Sequence, residues 1–570
     1  MRKQSFRACS AALAGVVMAA GILTGCGSDA GTNETSQQAQ DSGASQAESG
    51  TDSGQEASGS EDAGTESGGQ GGDLIPISFA RTTDASIESN IFAQIDASWE
   101  DNLWNDLYAD EVGVQVVYKW VATDGDQGKQ KLNGAIASGD IPDVCQVDKT
   151  TMKQMADAGL IVDIAPYFEQ YASDRLKKLI EDAGPKCIEA ATFDGVQYGF
   201  PFVDCDIETA DMLWIRQDWL DKANLEVPKS IDELENVMKA FADIAGDGAV
   251  GMRIGNTANI PGFFHGYGVY PGYWTVAEDG KLQYDKATTD MKEPLAKLAQ
   301  WYQEGLLDKE FYVKDDAASI EPLVAGKCGV VYAWHAYGLY PLQDSASADP
   351  EADWKPFSII PSKDGATVEP GVRMATGSWY VVSAKCEHPE KFIEMLNLYC
   401  EKSFGDDTAE YAKYINPGGD MEGLWRLSPV SLNTPNKNQI TTGKVITAMA
   451  DGSTEGMNGE ETNMYNYCKA NLDGDRSLWG WNIEFNEGGS QTVLMGYQDA
   501  GNLVYDEFYG APTETMSTKS TTLEAMLDEA IVKIVSGQMS VDEYDSVIEN
   551  WKAAGGDQIV QEVNDWYQTR

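Results

Sequence analysis

The chain has 570 residues, 42% of them hydrophobic, with 41 Lys and Arg against 91 Asp and Glu and a formal net charge of −50. So acidic a chain is excluded as a nucleic-acid binder, which needs clustered cations for phosphate, and its protein surface is excluded from adhesion to anionic lipid heads. The charge suits solubility at an extracellular surface, and the length predicts more than one domain.

At the start, Arg2, Lys3 and Arg7 precede an apolar stretch, Ala11–Leu23, too short to cross a bilayer comfortably as a helix. This is the pattern of a secretory signal. The order Leu23-Thr24-Gly25-Cys26 resembles the bacterial lipobox, which implies a lipoprotein signal peptide over residues 1–25 and acylation (palmitate) at Cys26. Two or more acyl chains anchor a protein stably, where one alone is marginal. From Gly27 to Gly72 there is no aromatic residue, no Lys and no Arg, and acidic residues are spread throughout. Such a segment buries too little apolar surface to offset its ordering entropy. Residues 26–72 are therefore expected to form a lipidated, disordered acidic Gly/Ser linker, reaching on the order of 40 Å.

The body begins near Asp73. Ile75–Ala80 reads as a strand, followed by polar Arg81–Asp84. A helix over Asn102–Glu111 stops at Gly113, and Val114–Tyr118 reads as the next strand. A helix over Gln127–Ala137 and a short apolar run, Asp143–Val147, continue the alternation, which predicts a parallel α/β sheet. Ligands sit beyond the carboxyl ends of such strands, so Arg81, Asp84, Asp148 and Lys149 are placed on the ligand rim. Farther on, Ser230 and Glu233 predict a capping box opening a helix with an apolar stripe at Leu234, Val237, Met238 and Phe241. Helices are also expected over Lys292–Glu304, from Leu523 to Val535, and from Ser540 through Trp551, with a last one ending near Tyr567.

Seven cysteines follow Cys26, at wide spacing and with no C-x-x-C, so they read as buried inert thiols rather than a disulfide frame. Three histidines give a Cys/His zinc site little support, and no cofactor is expected.

Gly139–Asp143, Ala158–Asp163, Asp194–Pro201 and Met212–Leu220 follow one another as they do in sugar-binding lipoproteins of bacterial ABC importers. The ending Trp551–Tyr567 is similar to that of large LplA-like members of extracellular solute-binding protein family 1. The resemblance covers the chain after Asp73. It implies an α/β, two-lobed periplasmic-binding-protein (type II) fold whose lobes close on a ligand about a hinge. On this reading lobe 1 spans 73–203, with 341–438 returning to it, and lobe 2 spans 204–340, completed by 439–570. The first crossing is expected near Val203–Asp206, and the return near Tyr340–Pro356. The implied function is capture of an extracellular oligosaccharide for delivery to ABC permease subunits. The carrier would be a non-enzymatic monomer on the outer face of the cytoplasmic membrane. Many large members carry an Asp/Asn-rich, EF-hand-like loop; here Ala245 and Ile254 stand where calcium needs oxygen ligands, so no metal is expected.

A sugar presents apolar C–H faces and a rim of hydroxyls, which aromatic rings and polar side chains satisfy. The candidate platforms are Trp334, Phe264, Trp379, Trp425 and Trp481, with His335, Asp204 and Asp206 (and Glu208 beside them) as polar partners. Trp214 and Trp219 read as core, and Arg216 and Asp218 as holding local geometry. Two other readings stand beside this one: a binding protein for a peptide or lipid-linked compound, and a surface-anchored glycosidase using paired carboxylates.

Overall fold

Alternation along β1 (Ile75–Thr82) turns Ile77 and Phe79 into the first core. In the computed structural model, which describes residues 74–83, 87–123, 125–418 and 423–570, helix α1 (Leu103–Val112) packs behind that strand. The signal segment, Cys26, the acidic linker and Asp84 lie outside the described residues. Asn102 starts α1 by accepting from the backbone N–H groups of Trp104 and Asn105. Gly113 ends it at φ 72°, a left-handed conformation that favours glycine, and leads straight into β2 (Val114–Ala122). β2 runs parallel to β1.

Helix α2 (Gly125–Ser138), strand β3 (Val144–Val147) and helix α3 (Lys149–Asp157) complete the alternating stretch. β4 (Phe200–Pro201) ends the first pass of the chain through this lobe. The second lobe begins at β5 (Met212–Arg216), whose residues are all buried. Helices α4 (Ile231–Ala245) and α5 (Lys292–Glu304) follow. Ser230 caps α4, but Glu233 accepts from the Lys229 N–H, not from Ser230, so the expected capping box is displaced by one residue.

Strands β6 (Val330–Ala333) and β7 (Trp354–Phe357) flank β5 in an antiparallel three-stranded sheet. This corrects the expected return at Tyr340–Pro356. Trp354 is fully buried in the second lobe, its indole N–H donating to Ser345 Oγ at 3.0 Å. A four-residue strand carries no local sign of which sheet it joins. The chain passes β8 (Gly371–Val372) and rejoins the first sheet only at β9 (Trp379–Val382). That sheet has the order β2-β1-β3-β9-β4, with β9 antiparallel to both neighbours because it enters from the other lobe.

Helices α6 (Glu390–Phe404) and α7 (Thr408–Tyr414) cover lobe 1. The chain then leaves through α8 (Lys437–Asp451), α9 (Gly459–Leu472), α10 (Trp479–Phe485) and α11 (Ser490–Ala500). Strand β10 (Val504–Tyr505) pairs in parallel with β8. Helices α12 (Glu514–Val535), α13 (Tyr544–Trp551) and α14 (Asp557–Tyr567) finish the second lobe. Ser540 and Glu543 form a true capping box ahead of α13.

Each lobe has its own core. Phe79, Trp104, Tyr108, Phe200 and Phe392 centre the first, and Trp219, Phe241, Phe263, Trp301 and Leu527 the second. Burying such side chains stabilises each lobe by about 1.5–3 kcal/mol apiece.

Candidate functional site: the crossings between the lobes

Three crossings lie side by side. The Asp204 N–H donates to the Ala375 carbonyl at 2.7 Å, and the Asn433 N–H to the Val203 carbonyl at 2.9 Å. The segments near 203–206, 373–376 and 431–436 are thus joined by backbone hydrogen bonds.

Its carboxylates are part of the joint. Asp204 accepts from the Cys205 N–H at 2.9 Å and from Asn433 Nδ2 at 3.0 Å. Asp206 accepts from the Ile207 N–H and, at 3.4 Å, from the Tyr505 hydroxyl. Burial raises the pKa of both carboxyls. Two further half-buried carboxyls belong to Asp211, just past the first crossing, and Asp506. Asp211 accepts from the Gly262 N–H at 2.9 Å, and Asp506 from the N–H groups of Trp274 and Phe508. Burial pushes each up to about 6, and the Arg373 charge opposes the shift in both.

Trp334 follows β6 and is 39% exposed, a large ring left open to solvent. Its carbonyl accepts from Trp214 Nε1 at 3.3 Å, and its ring meets the His335 ring edge-on at 5.0 Å. His335 itself is buried between Glu208 and Glu484. It braces the polar interior and offers no open face to a ligand. Asp148 is exposed on the rim and caps α3 through Thr151.

The other expected platforms are placed elsewhere. Trp379 is 2% exposed, and its indole N–H donates to the Cys187 carbonyl, so it belongs to the core of lobe 1. Phe264, 1% exposed, packs edge-on against Phe263 in the second core. Arg81 donates to the Ser428 carbonyl at 2.6 Å and lies over the Trp99 ring, bracing lobe 1. Trp425 packs against the same core. Trp481 stacks with Phe485 and meets the tilted Tyr467 ring in a separate cluster. Trp214 and Trp219 are buried, and Arg216 forms a bidentate pair with Asp218, as expected of core and geometry-holding residues.

A second connection between the lobes joins Lys149, placed on the rim from sequence, and Lys186 and Glu189, which sequence reasoning missed, to the segment around Tyr509. Lys149 of α3 donates to the Tyr509 carbonyl at 3.1 Å. Burial lowers its pKa to about 8, with Asp506 opposing. Lys186 pairs with Glu507 at 3.1 Å, and the Tyr509 hydroxyl donates to Glu189 at 2.8 Å. Glu484, Gln491, Asp211, Asp506 and Arg373 were missed for one reason: each comes from a segment distant in sequence from its partners and carries no motif.

Among the described residues, no group of three or more His, Cys, Asp or Glu could hold a metal ion. The cysteines from Cys145 to Cys468 are free, and all but half-buried Cys386 are buried. No helix among the described residues is long and apolar enough to cross a membrane.

Two lobes with separate cores, joined by adjacent backbone segments, define a two-lobed solute-binding fold. The chain belongs to the bacterial extracellular solute-binding protein family, whose sequence model matches residues 90–398, more than half its length. It is 23% identical over 483 residues to lipoprotein LipO of Bacillus subtilis, covering 80% of this chain and 87% of LipO. It is 24% identical to the polygalacturonan/rhamnogalacturonan-binding protein YtcQ of the same organism, covering 77% of this chain and 83% of YtcQ. Its fold is similar to that of the Streptococcus pneumoniae ABC-transporter substrate-binding protein FusA, solved as an EF-hand mutant with fructo-nystose. The TM-score is 0.58 at 18% identity, covering 87% of this chain and 99% of FusA.

Proposed function

We propose that this chain captures an extracellular oligosaccharide between its two lobes and delivers it to the permease of an ABC importer, without chemical turnover. Its place of work would be the outer face of the cytoplasmic membrane, with Cys26 acylated and residues 26–72 as the tether. The observation that carries the reading is Trp334: a large ring kept open to solvent against His335, which pairs with Glu208 just beyond the first crossing. An indole face suits the C–H face of a pyranose or furanose ring, and the carboxylates suit its hydroxyls. The names of YtcQ and FusA's ligand support a carbohydrate.

The ligand is expected to be neutral or mildly basic. Asp204, Asp206, Asp211 and Asp506 gather around the crossings with carboxyls already held up by burial. A uronate would add like charge there, and like charges in one site disfavour ionisation of both. Isothermal titration calorimetry on the mature chain tests this with three panels: neutral oligosaccharides, amino-sugar oligosaccharides, and oligogalacturonates. Binding from the first two panels without change in the glycan is the expected outcome. Binding of peptides alone, or release of shortened glycan, would overturn the reading. Tight binding confined to oligogalacturonates would overturn the charge argument and leave capture standing.

A further inference from the structure

The first crossing is tied to more than its neighbouring crossings. Glu208 lies just beyond Asp206 and reaches a buried polar cluster built from four distant pieces of chain. His335 Nδ1 is 2.7 Å from Glu484 Oε1 on α10, and His335 Nε2 is 3.4 Å from Glu208 Oε2. Burial alone would lower the pKa of this imidazole, but the two carboxylates override it and hold it up at about 10. The two carboxylates thus favour the charged imidazolium, whose Nδ1 also lies 3.0 Å from Gln491 Nε2, and Glu208 is held low in return. Gln491 on α11 sets its amide nitrogen 3.3 Å from both Glu208 Oε1 and Glu484 Oε1. Gln439 on α8 donates to Glu208 Oε1 at 3.3 Å and to Gln491 Oε1 at 2.7 Å. Lys437, the other cation acting on Glu208, is itself paired with Glu460.

Protein groups alone do not satisfy this cluster. Asn438 Oδ1, Gln439 Oε1, Thr442 Oγ1, Glu484 Oε2 and Ser490 Oγ are buried with no protein hydrogen-bond partner. Elsewhere in the described residues such atoms are scattered; here five belong to residues in or beside one network. Buried polar atoms are rarely left unpaired, and ordered water is their usual partner in a polar site.

We propose that Glu208, His335 and Glu484 form a hydrated positioning centre that locks the first crossing, the Trp334 loop and helices α8, α10 and α11 into one mechanical unit. Trp334 precedes His335 directly, so a centre that fixes the imidazole fixes the base of the indole platform. When the hinge swings, the platform would then move with the first crossing and keep its aim. That last consequence rests on the ligand-capture reading; the mechanical claim does not.

Amide hydrogen exchange followed by mass spectrometry on the full mature chain tests the mechanical claim without any ligand. His335→Gln removes the charge and is expected to accelerate exchange by about tenfold or more in segments 203–209, 334–339, 437–442 and 484–491 together, while β1 to β3 keep their rates. After correction for intrinsic exchange, raising the pH of the unaltered protein toward 10.5 should loosen the same four segments in concert. Acceleration confined to 334–339, or none, would overturn the proposal. Should His335→Gln fail to fold, Glu208→Gln leaves the imidazolium paired with Glu484. It is then expected to loosen 203–209 and 334–339 jointly, and loosening of only one of them counts against the unit. A crystal structure should show ordered water on Glu484 Oε2 and Ser490 Oγ; a dry cluster paired within the protein would overturn the hydration. Failure here leaves calorimetric binding untouched, and failure of binding leaves these exchange patterns untouched.

Discussion

Two ionic connections flank the crossings, and they differ chiefly in their exposure to bulk solvent. The Glu208–His335–Glu484 cluster is sealed: the Glu484 side chain is 2% exposed. The contact around Tyr509 is open: in its Lys186–Glu507 pair the side chains are 38% and 32% exposed. Attraction between charges strengthens as the surroundings dry, and so does the cost of leaving one unpaired. The sealed cluster should therefore resist any change in lobe angle that separates its members. The open contact can form and break with little change in free energy, as a hinge that must both open and close requires.

Removing a partner from the sealed side should have the largest effect. Glu484→Ala strands the His335 imidazolium with Glu208 alone, and is expected to cost about 3–5 kcal/mol in urea unfolding. A loss below about 1 kcal/mol would mean that the cluster is as weak as a surface pair and would erase the contrast. Next in size is Trp334→Ala, which touches the ring that the sealed cluster supports but not the cluster itself. Affinity for the cognate oligosaccharide should fall by about 2 kcal/mol, roughly 30-fold, with stability changed by no more than about 0.5 kcal/mol. Unchanged affinity would remove Trp334 from the site.

Acidity separates the two sides again. His335 is held up to about 10, so its contribution to stability is complete below its unfolded value of about 6.5 and is lost as pH rises through about 10. Lys149, on the open side, is lowered to about 8, so the unfolded chain holds the proton more tightly. Its penalty is present below about 8 and is relieved as pH climbs toward about 10.4. Between pH 8 and 10 the two slopes oppose each other. Relative to the unaltered protein, His335→Gln should make stability fall less steeply with pH in this window, and Lys149→Met should make it fall more steeply. Thermal unfolding across the window reads both, and parallel curves for the two variants would refute the assignment.

How much of this was legible in the sequence follows from the range over which each feature is encoded. Asn102 and Gly113 bracket α1 as expected because capping is settled within a few residues. β1 and β2 declare themselves by alternation. Trp379 and Trp334 look alike in sequence, an aromatic beside a strand, yet one is core and the other open. Burial depends on what packs on top, and for Trp379 that is the segment around Cys187, far away in the chain. The return of the chain was misplaced for the same reason, since the partner of β7 is β5. His335 and Glu484 stand 149 residues apart, and nothing in either stretch names the other.

Lys186→Ala on the open side should have the smallest effect on stability, and this makes it the sharpest probe of what the open side is for. The pair is partly screened by solvent, so its loss should cost no more than about 1 kcal/mol, and less at high salt. Lys186 also lies 5.3 Å from the centre of the Tyr509 ring and 5.7 Å from that of Tyr505, whose hydroxyl reaches Asp206 on the first crossing. A small change in stability can therefore accompany a measurable change in lobe angle. Small-angle scattering without ligand should show a slightly larger radius of gyration in the variant, and the difference should vanish when the cognate oligosaccharide holds the lobes together. If radius and stability both match the unaltered protein, the Tyr509 contact is incidental to closure, and the sealed cluster alone distinguishes the two flanks of the hinge.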